Sequence, residues 1–481
     1  MSGGGELRPE GTGVTGWTWY RSLSRYHWFV LIVASLGWLF DTMDQQLFII
    51  ARKPAMAELL GRSILDPEID RFSGYATTIF MLGWATGGLV FGMLGDRWGR
   101  AKTMLVTIIV YSAFTGLSAL SVTWWDFSIY RFLTGMGVGG EFAAGASLVA
   151  EVMPARARPY ALGFLQALSA IGNMTAACIS FALPPKAQIH GVVGWRLMFL
   201  VGIVPSILVI FVRRRLKEPE SWVRAKEARA SGPVGRQTVQ ACMPPAGGQA
   251  LGRIGDLFRD RRWRRNTLVG VTLALAGIMG LWGVGFWMSE LVRVVVPPDG
   301  PQDWYVSLAS LLQNAGAFVG IYVFSILTGA VGRRPAFALS FIVGLAAVVG
   351  VFGFMTERSQ IWWMAPMLGF ATLMVFGGYS IYFPELFPTR LRSTGTGFCY
   401  NTARYLAAAA PFTLGTLTSA FAASQGSVRA AQKLSDFSLL SSLGSVDNPL
   451  RYAAIVVACI YVIGLLALPF AVETKGKPLP E

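Results

Sequence analysis
Histidine and cysteine are nearly missing from this chain, with two of the former and four of the latter in 481 residues. His27 and His190 lie at the edges of apolar runs, far apart in sequence, and neither has the setting of a catalytic base. Cys178, Cys399 and Cys459 fall inside apolar runs and Cys242 in a polar one, which fits neither a metal site nor a disulfide framework. Charge is also scarce, at 14% of residues against 53% hydrophobic, with a mean hydropathy of +0.51. A water-soluble protein of this length does not carry that balance. With no nucleophile paired to a base and no metal constellation, an enzyme is excluded and no cofactor is expected. One dinucleotide-like match, Gly135-x-Gly137-x-x-Gly140, lies in the middle of an apolar run and not between a strand and a helix start. Gly135 and Gly139 therefore read as small residues for helix packing.

What the chain has in quantity is hydrocarbon. Runs of about 20 apolar residues, the length that crosses a bilayer core, number six before residue 213 and six after residue 267. They start near Trp28, Phe72, Lys102, Trp125, Pro159 and Gly194, then near Leu268, Trp304, Pro335, Gln360, Ser393 and Asn448. Each is expected to be a helix, because a lone strand leaves its backbone unsatisfied in lipid. The residues before Trp28 lack the basic, apolar and small-residue succession of a signal peptide, so residues 1–27 read as a tail. Residues 28–213 and 268–471 read as two six-helix bundles, residues 214–267 as the segment joining them, and 472–481 as a second tail. The joining segment carries Pro244, Pro245, Gly247 and Gly248 among basic residues. Its start is expected to form a surface helix and its middle to be disordered. The Ser- and Ala-rich stretch near 422–448 receives no role.

Most of the 41 Lys and Arg fall on the side that carries both termini, which makes that side cytoplasmic by the positive-inside rule. The expected location is the cell membrane, multi-pass, with both termini inside. A net charge of +15 raises nucleic acid as a partner, yet the densest basic cluster, Arg259 to Arg265, lies beside the membrane. Anionic headgroups suit it better, so the bilayer and no nucleic acid is the expected partner, with the chain a monomer.

The chain is internally duplicated. Glu151, Pro154, Arg156 and Arg158 recur as Glu385, Pro388, Arg390 and Arg392, and Gly163 and Gly135 recur as Gly397 and Gly369, always 234 residues on. The fold class that follows is an all-α membrane protein of twelve transmembrane helices in two pseudo-symmetric bundles.

Gly92, Gly95, Asp96, Arg97, Gly99 and Arg100, between the second and third spans, resemble the signature loop of the major facilitator superfamily. Arg131 with Gly135 and Gly139, Trp195 with Arg196, and Glu385 through Gly397 agree with it. The resemblance implies a central cavity that opens alternately to each side, and a gating role for the cytoplasmic loops. Arg97 and Arg100 would pair with Glu151, and Arg333 or Arg334 with Glu385, with Arg158 and Arg392 beside them. Gly329 stands where the second copy would carry the counterpart of Asp96. The bland alternative is a set of static ion pairs worth under about 1 kcal/mol each.

Ionisable groups inside hydrocarbon are costly and mark a cavity or a partner. Asp41 and Asp44 are three residues apart on one helical face, and proton binding is the chemistry that burial and mutual repulsion favour there. The bland reading is that one acid compensates Arg131. Asp41-x-x-Asp44 resembles the Asp-Gly-x-Asp signature of aromatic-acid:proton symporters, and Glu141 after Gly139-Gly140 is similar to the same branch. Thr42 replaces the glycine. Sialate:proton symporters and the organic-ion branch are about as close. Arg404 lies about 15 Å into the eleventh span, near the bilayer midplane, where its fork suits a carboxylate. The structural alternative holds it on Asn401 and backbone carbonyls. Gln166, Asn173, Gln313, Asn314, Tyr379, Tyr400 and Asn401 are candidates to line the cavity.

The expected activity is proton-coupled symport of a small organic anion. Protonation of Asp41 or Asp44 weakens the pairing with Arg131, the anion binds Arg404, and inward rocking breaks the Arg97, Arg100 and Glu151 contacts. The gradient supplies the energy. A neutral-solute symporter, a proton-driven exporter and a transporter-like nutrient sensor are the alternatives.

Overall fold
A computed structural model describes residues 19–480 except 65, 190, 206, 208–211, 213–214, 231–250, 298–299 and 408–448. His190, Cys242, the middle of the joining segment, the stretch at 422–448 and almost all of the first tail lie outside the described residues. Among the described residues the regular structure is helical apart from a hairpin of two-residue strands, Gln188–Ile189 and Val192–Val193.

Ten described helices are long and apolar enough to cross a membrane. Five belong to the first half: Arg25–Leu60, Pro67–Trp98, Arg100–Ser118, Trp124–Val152 and Arg158–Ala182. The sixth span is described as Gly194–Val201. In the second half the seventh to tenth are Arg261–Gly283, Gln302–Val331, Arg333–Phe354 and Ile361–Leu386, and the eleventh is described as Arg392–Ala407. The twelfth is Pro449–Ala458 continued by Ile460–Ala467. The expected surface helix is present as Glu220–Ala230.

Local chemistry sets the ends. The first span begins on a capping box, in which Ser24 Oγ accepts from the His27 amide and His27 Nδ1 accepts from the Ser24 amide. His27 is thus a cap. The second span starts at Pro67 behind Asp66, and the fourth behind a Thr123–Asp126 capping box. Gly99 (φ +118°) and Gly332 (φ +99°) turn the chain between the second and third and between the eighth and ninth spans in a backbone region that side chains disfavour. The duplication therefore reaches the level of single dihedral angles.

Within the first half the second and third spans pack on the fourth and the first on the fifth. In the second half the eighth and ninth pack on the tenth and the seventh on the eleventh. The halves meet where the second span lies along the eleventh and the fifth along the eighth. Gly135 and Gly139 do serve packing: a Cβ on either would strike a carbonyl of the second span, at Phe80 or Trp84.

Candidate functional site
The fourth span carries Arg131 and Glu141 toward the first span, which carries Asp41 and Asp44, and all four side chains are buried. The structure sorts them into two pairs. Arg131 Nη1 stands 3.6 Å from Asp44 Oδ2, an ion pair too long for a hydrogen bond. The rest of the guanidinium donates to Ser118 Oγ at 2.7 Å and Thr134 Oγ1 at 3.1 Å and lies 4.7 Å from the Phe199 ring. Asp41 faces instead the Glu141 carboxyl, its neighbour on the fourth span. Neither has a hydrogen-bond donor among the described residues. Two charged carboxylates buried side by side repel, and a proton shared between such groups relieves that repulsion. Room for the Glu141 carboxylate exists because residue 37 is glycine: a Cβ there would occupy its place. A cavity of about 10 Å³ adjoins the pair, lined by Trp38, Glu141, Phe142 and Leu165.

Arg404 projects from the eleventh span and is 2% exposed. Its Nη1 donates to the Tyr400 carbonyl at 3.0 Å and to Asn401 Oδ1 at 2.9 Å, while Nε has no acceptor. The guanidinium is held between two rings, 4.1 Å from Trp84 of the second span and 4.0 Å from Tyr400. No carboxylate among the described residues forms an ion pair with it. Tyr400 in turn stacks on Phe142 at 4.1 Å, and Phe142 packs on Trp38 at 5.0 Å. An aromatic layer thus joins Arg404 to the residue next to Glu141.

The other cavity candidates divide. Asn173 Nδ2 donates to Asn314 Oδ1 at 2.9 Å, a bond between the two halves, and Gln166 reaches Tyr400. Gln313 is spent on the Gly285 carbonyl and Tyr379 on that of Leu273, so both tie spans of one bundle together. Asn401 packs against Gly88 of the second span.

At the face carrying the joining segment, the two halves are locked together. Asp96 accepts from the amides of Ser393 and Thr394 at 3.1 and 2.9 Å and from Thr394 Oγ1 at 2.6 Å, capping the start of the eleventh span. Arg100 bridges Asp96 and Glu151, each at 3.0 Å, and Arg392 reaches Glu151 at 2.7 Å from the other half. The second copy repeats the design with Arg333 and Glu385 at 2.8 Å. Backbone ties repeat as well: Arg158 donates to the Ala150 carbonyl and Arg392 to that of Pro384, and Arg100 to Gly95 and Arg333 to Thr328.

One expectation about this cluster is corrected, and one left open between two arginines is resolved in favour of Arg333. Arg97 does not pair with Glu151; its Nε donates to the Leu251 carbonyl at 3.3 Å. Arg334 does not pair with Glu385, and donates to the Leu468 carbonyl at 3.2 Å. Gly99 lies between the two arginines of its loop and Gly332 before both of its own, and in each loop the arginine directly after the glycine, which opens the next helix, faces the acid. Glu151→Gln is expected to remove the shared acceptor of two buried arginines and raise the population open at this face on the order of 100-fold. Alkylation of a cysteine placed at Ser325, which packs on Gly163 across the halves, would report it. An unchanged alkylation rate would make the cluster static.

Sequence reasoning missed a matched pair of latches. Glu218, just past the first bundle, accepts from the Ala101 and Lys102 amides at 3.2 and 3.0 Å. Glu473, just past the second, accepts from the Arg333 and Arg334 amides at 2.9 and 3.0 Å. Their signal was a glutamate following the last span of each half, hidden because its spacing differs from that of the main repeat. Burial acts to raise the Glu473 carboxyl, but the amides of Arg333, Arg334 and Lys475 outweigh it and hold the group below the ordinary glutamate value. Its stabilisation is complete above that ordinary value and disappears as pH falls through the depressed one. Glu473→Gln is therefore expected to lower the melting temperature at neutral pH and to match the parent in acid. A constant gap across pH would refute the latch.

The Major Facilitator Superfamily is the family whose model matches, over residues 29–411. Among similar proteins are a putative metabolite transport protein of Haemophilus influenzae, 28% identical over 95% of this chain and 99% of that one. A probable 4-methylmuconolactone transporter of Cupriavidus pinatubonensis is 27% identical over 83% and 86%, and a cis,cis-muconate transport protein of Acinetobacter baylyi 26% over 72% and 78%. In fold, the chain is similar to a proton:xylose symporter solved with 6-bromo-6-deoxy-D-glucose, at a TM-score of 0.67 and 18% identity over 94% of this chain and 98% of that one.

Proposed function
Since this chain belongs to the Major Facilitator Superfamily and is a membrane transporter, not an enzyme, we propose that it carries a small organic carboxylate together with protons by alternating access. Arg404 is the observation that carries this reading: a buried cation at the centre of the molecule with no acidic partner among the described residues, one nitrogen lacking an acceptor, and ring faces on both sides. A carboxylate supplies the missing charge and acceptor, and a flat cargo suits the rings. The names of the muconate and muconolactone relatives point to the same chemical class.

The proton is carried by the Asp41–Glu141 pair. A second proton, or loss of the first, changes the pair from one shared hydrogen bond to two neutral groups or two repelling charges, and helices one and four move accordingly. Asp44 and Arg131, both in the first bundle, hold the neighbouring charge balance at a spacing of 3.6 Å. The aromatic layer through Phe142 and Tyr400 passes the movement to Arg404. Proton and anion then act on one equilibrium, as symport requires. The clusters around Glu151 and Glu385 break when the cargo leaves to the cytoplasm. The protein works as a monomer in the cell membrane with both termini inside.

The test is uptake into proteoliposomes of labelled benzoate-type acids, muconate, sialate and hexoses, with an imposed inward proton gradient and an uncoupler control. Uncoupler-sensitive accumulation of a carboxylate is the expected outcome. Uptake of hexose alone would overturn the anion assignment, and accumulation that ignores the uncoupler would overturn proton coupling.

A further inference from the structure
A groove of about 530 Å³ lies on the flank of the second and third spans, away from Arg404 and the carboxyl pair. Its lining is divided by chemistry. Arg97, Lys102 and Lys226 supply three cations, and Trp98, Leu105, Val106 and Ile109 supply a hydrocarbon wall, with no carboxylate among these residues. Lys102, Leu105, Val106 and Ile109 follow one face of the third span, so the wall runs about 10 Å from the basic end into the membrane. Trp98 and Ile109 are 51% and 48% exposed.

The cations are positioned by the fold. Arg97 is tied through Nε to the Leu251 carbonyl, and the Lys226 ammonium lies 5.0 Å from the Trp222 ring. The Trp222 indole donates to the Asp96 carbonyl at 2.7 Å. Lys226 belongs to the surface helix Glu220–Ala230, so the groove is closed on one side by the joining segment and on the other by membrane helices. Glu218, the carboxylate at the start of the third span, has both oxygens occupied by backbone amides.

We propose that this groove binds an anionic phospholipid of the leaflet on the side of the joining segment, its phosphate among Arg97, Lys102 and Lys226 and one acyl chain along Leu105, Val106 and Ile109. Three cations above an apolar wall match a molecule that is anionic at one end and hydrocarbon at the other. A free phosphate would use only the upper half. A lipid seated there fastens the surface helix to the third span beside Asp96.

The experiment is native mass spectrometry of the full chain released from nanodiscs of equal phosphatidylglycerol and phosphatidylcholine. The expected result is retention of phosphatidylglycerol, reduced on the order of 10-fold in Lys102→Gln/Lys226→Gln. Arg21→Gln/Arg25→Gln, which removes two exposed cations at the start of the first span, is expected to retain it as the parent does. Melting of each variant in phosphatidylcholine checks that it is folded, since both lysines are exposed. Equal retention by the parent and the lysine variant overturns the site, as does equal loss in the arginine control, which would indicate diffuse surface charge. Displacement of the lipid by 10 mM inorganic phosphate would overturn the role of the hydrocarbon wall.

Discussion
Arg404→Met is expected to abolish carboxylate uptake and at the same time to raise the melting temperature. Both effects follow from a buried charge whose partners are two rings and two oxygens. Stacking on Trp84 and Tyr400 returns up to about 2 kcal/mol each at best. Removing a guanidinium from water costs several kcal/mol more than neutral contacts recover, so an apolar side chain of similar length fits the site at lower cost. For transport the sign is opposite. Two charge-assisted hydrogen bonds at about 1.5–3 kcal/mol each correspond to a loss of at least on the order of 100-fold in kcat/KM. Arg404→Lys should transport poorly too, because a point charge cannot engage both carboxylate oxygens between two rings. A thermal melt and an initial-rate assay on the same preparation decide it. A destabilised Arg404→Met that still transports would return this residue to a structural role.

Glu141→Gln is expected to split the transport cycle. Net accumulation against a gradient falls to the diffusion limit, while exchange of preloaded anion stays within about threefold of the parent. The amide fills the space beside Gly37 and donates a hydrogen bond to Asp41, imitating the protonated pair, but it cannot release a proton. Asp44→Asn should behave differently. It leaves Arg131 buried among Ser118, Thr134 and three phenylalanine rings without a counter-charge, so stability falls by about 3–5 kcal/mol and both transport modes decline. Parallel accumulation and counterflow assays on the two variants separate the pairs. Full accumulation by Glu141→Gln would exclude the carboxyl pair as the proton carrier.

The fold was readable because lipid imposes one rule on the whole chain: an apolar run of sufficient length is a helix. The ionisable residues stood out against hydrocarbon for the same reason. Their partners did not. Whether Asp41 or Asp44 meets Arg131 depends on the rotation of the first span against the fourth, which small residues such as Gly37 set through the space they leave. The choice between Arg97 and Arg100 depended on Gly99, whose positive φ assigns one arginine to the end of a helix and the other to the beginning of the next. Trp84 was indistinguishable from the other tryptophans, since an aromatic residue in a membrane helix is ordinarily an interfacial anchor. Tyr379 and Gln313 were chosen for polarity alone, which does not reveal a carbonyl on an adjacent helix waiting to accept from them.

The stacking of Arg404 between Trp84 and Tyr400 joins two bodies, because the tryptophan belongs to one half and the tyrosine and arginine to the other. Under the proposed alternating access, a solute that takes the arginine would slide into a laminate whose outer sheets move apart, and affinity would be a function of how far the halves have travelled. A planar inhibitor thick enough to prevent Trp84 from returning would act as a wedge, arresting the cycle without competing for the proton.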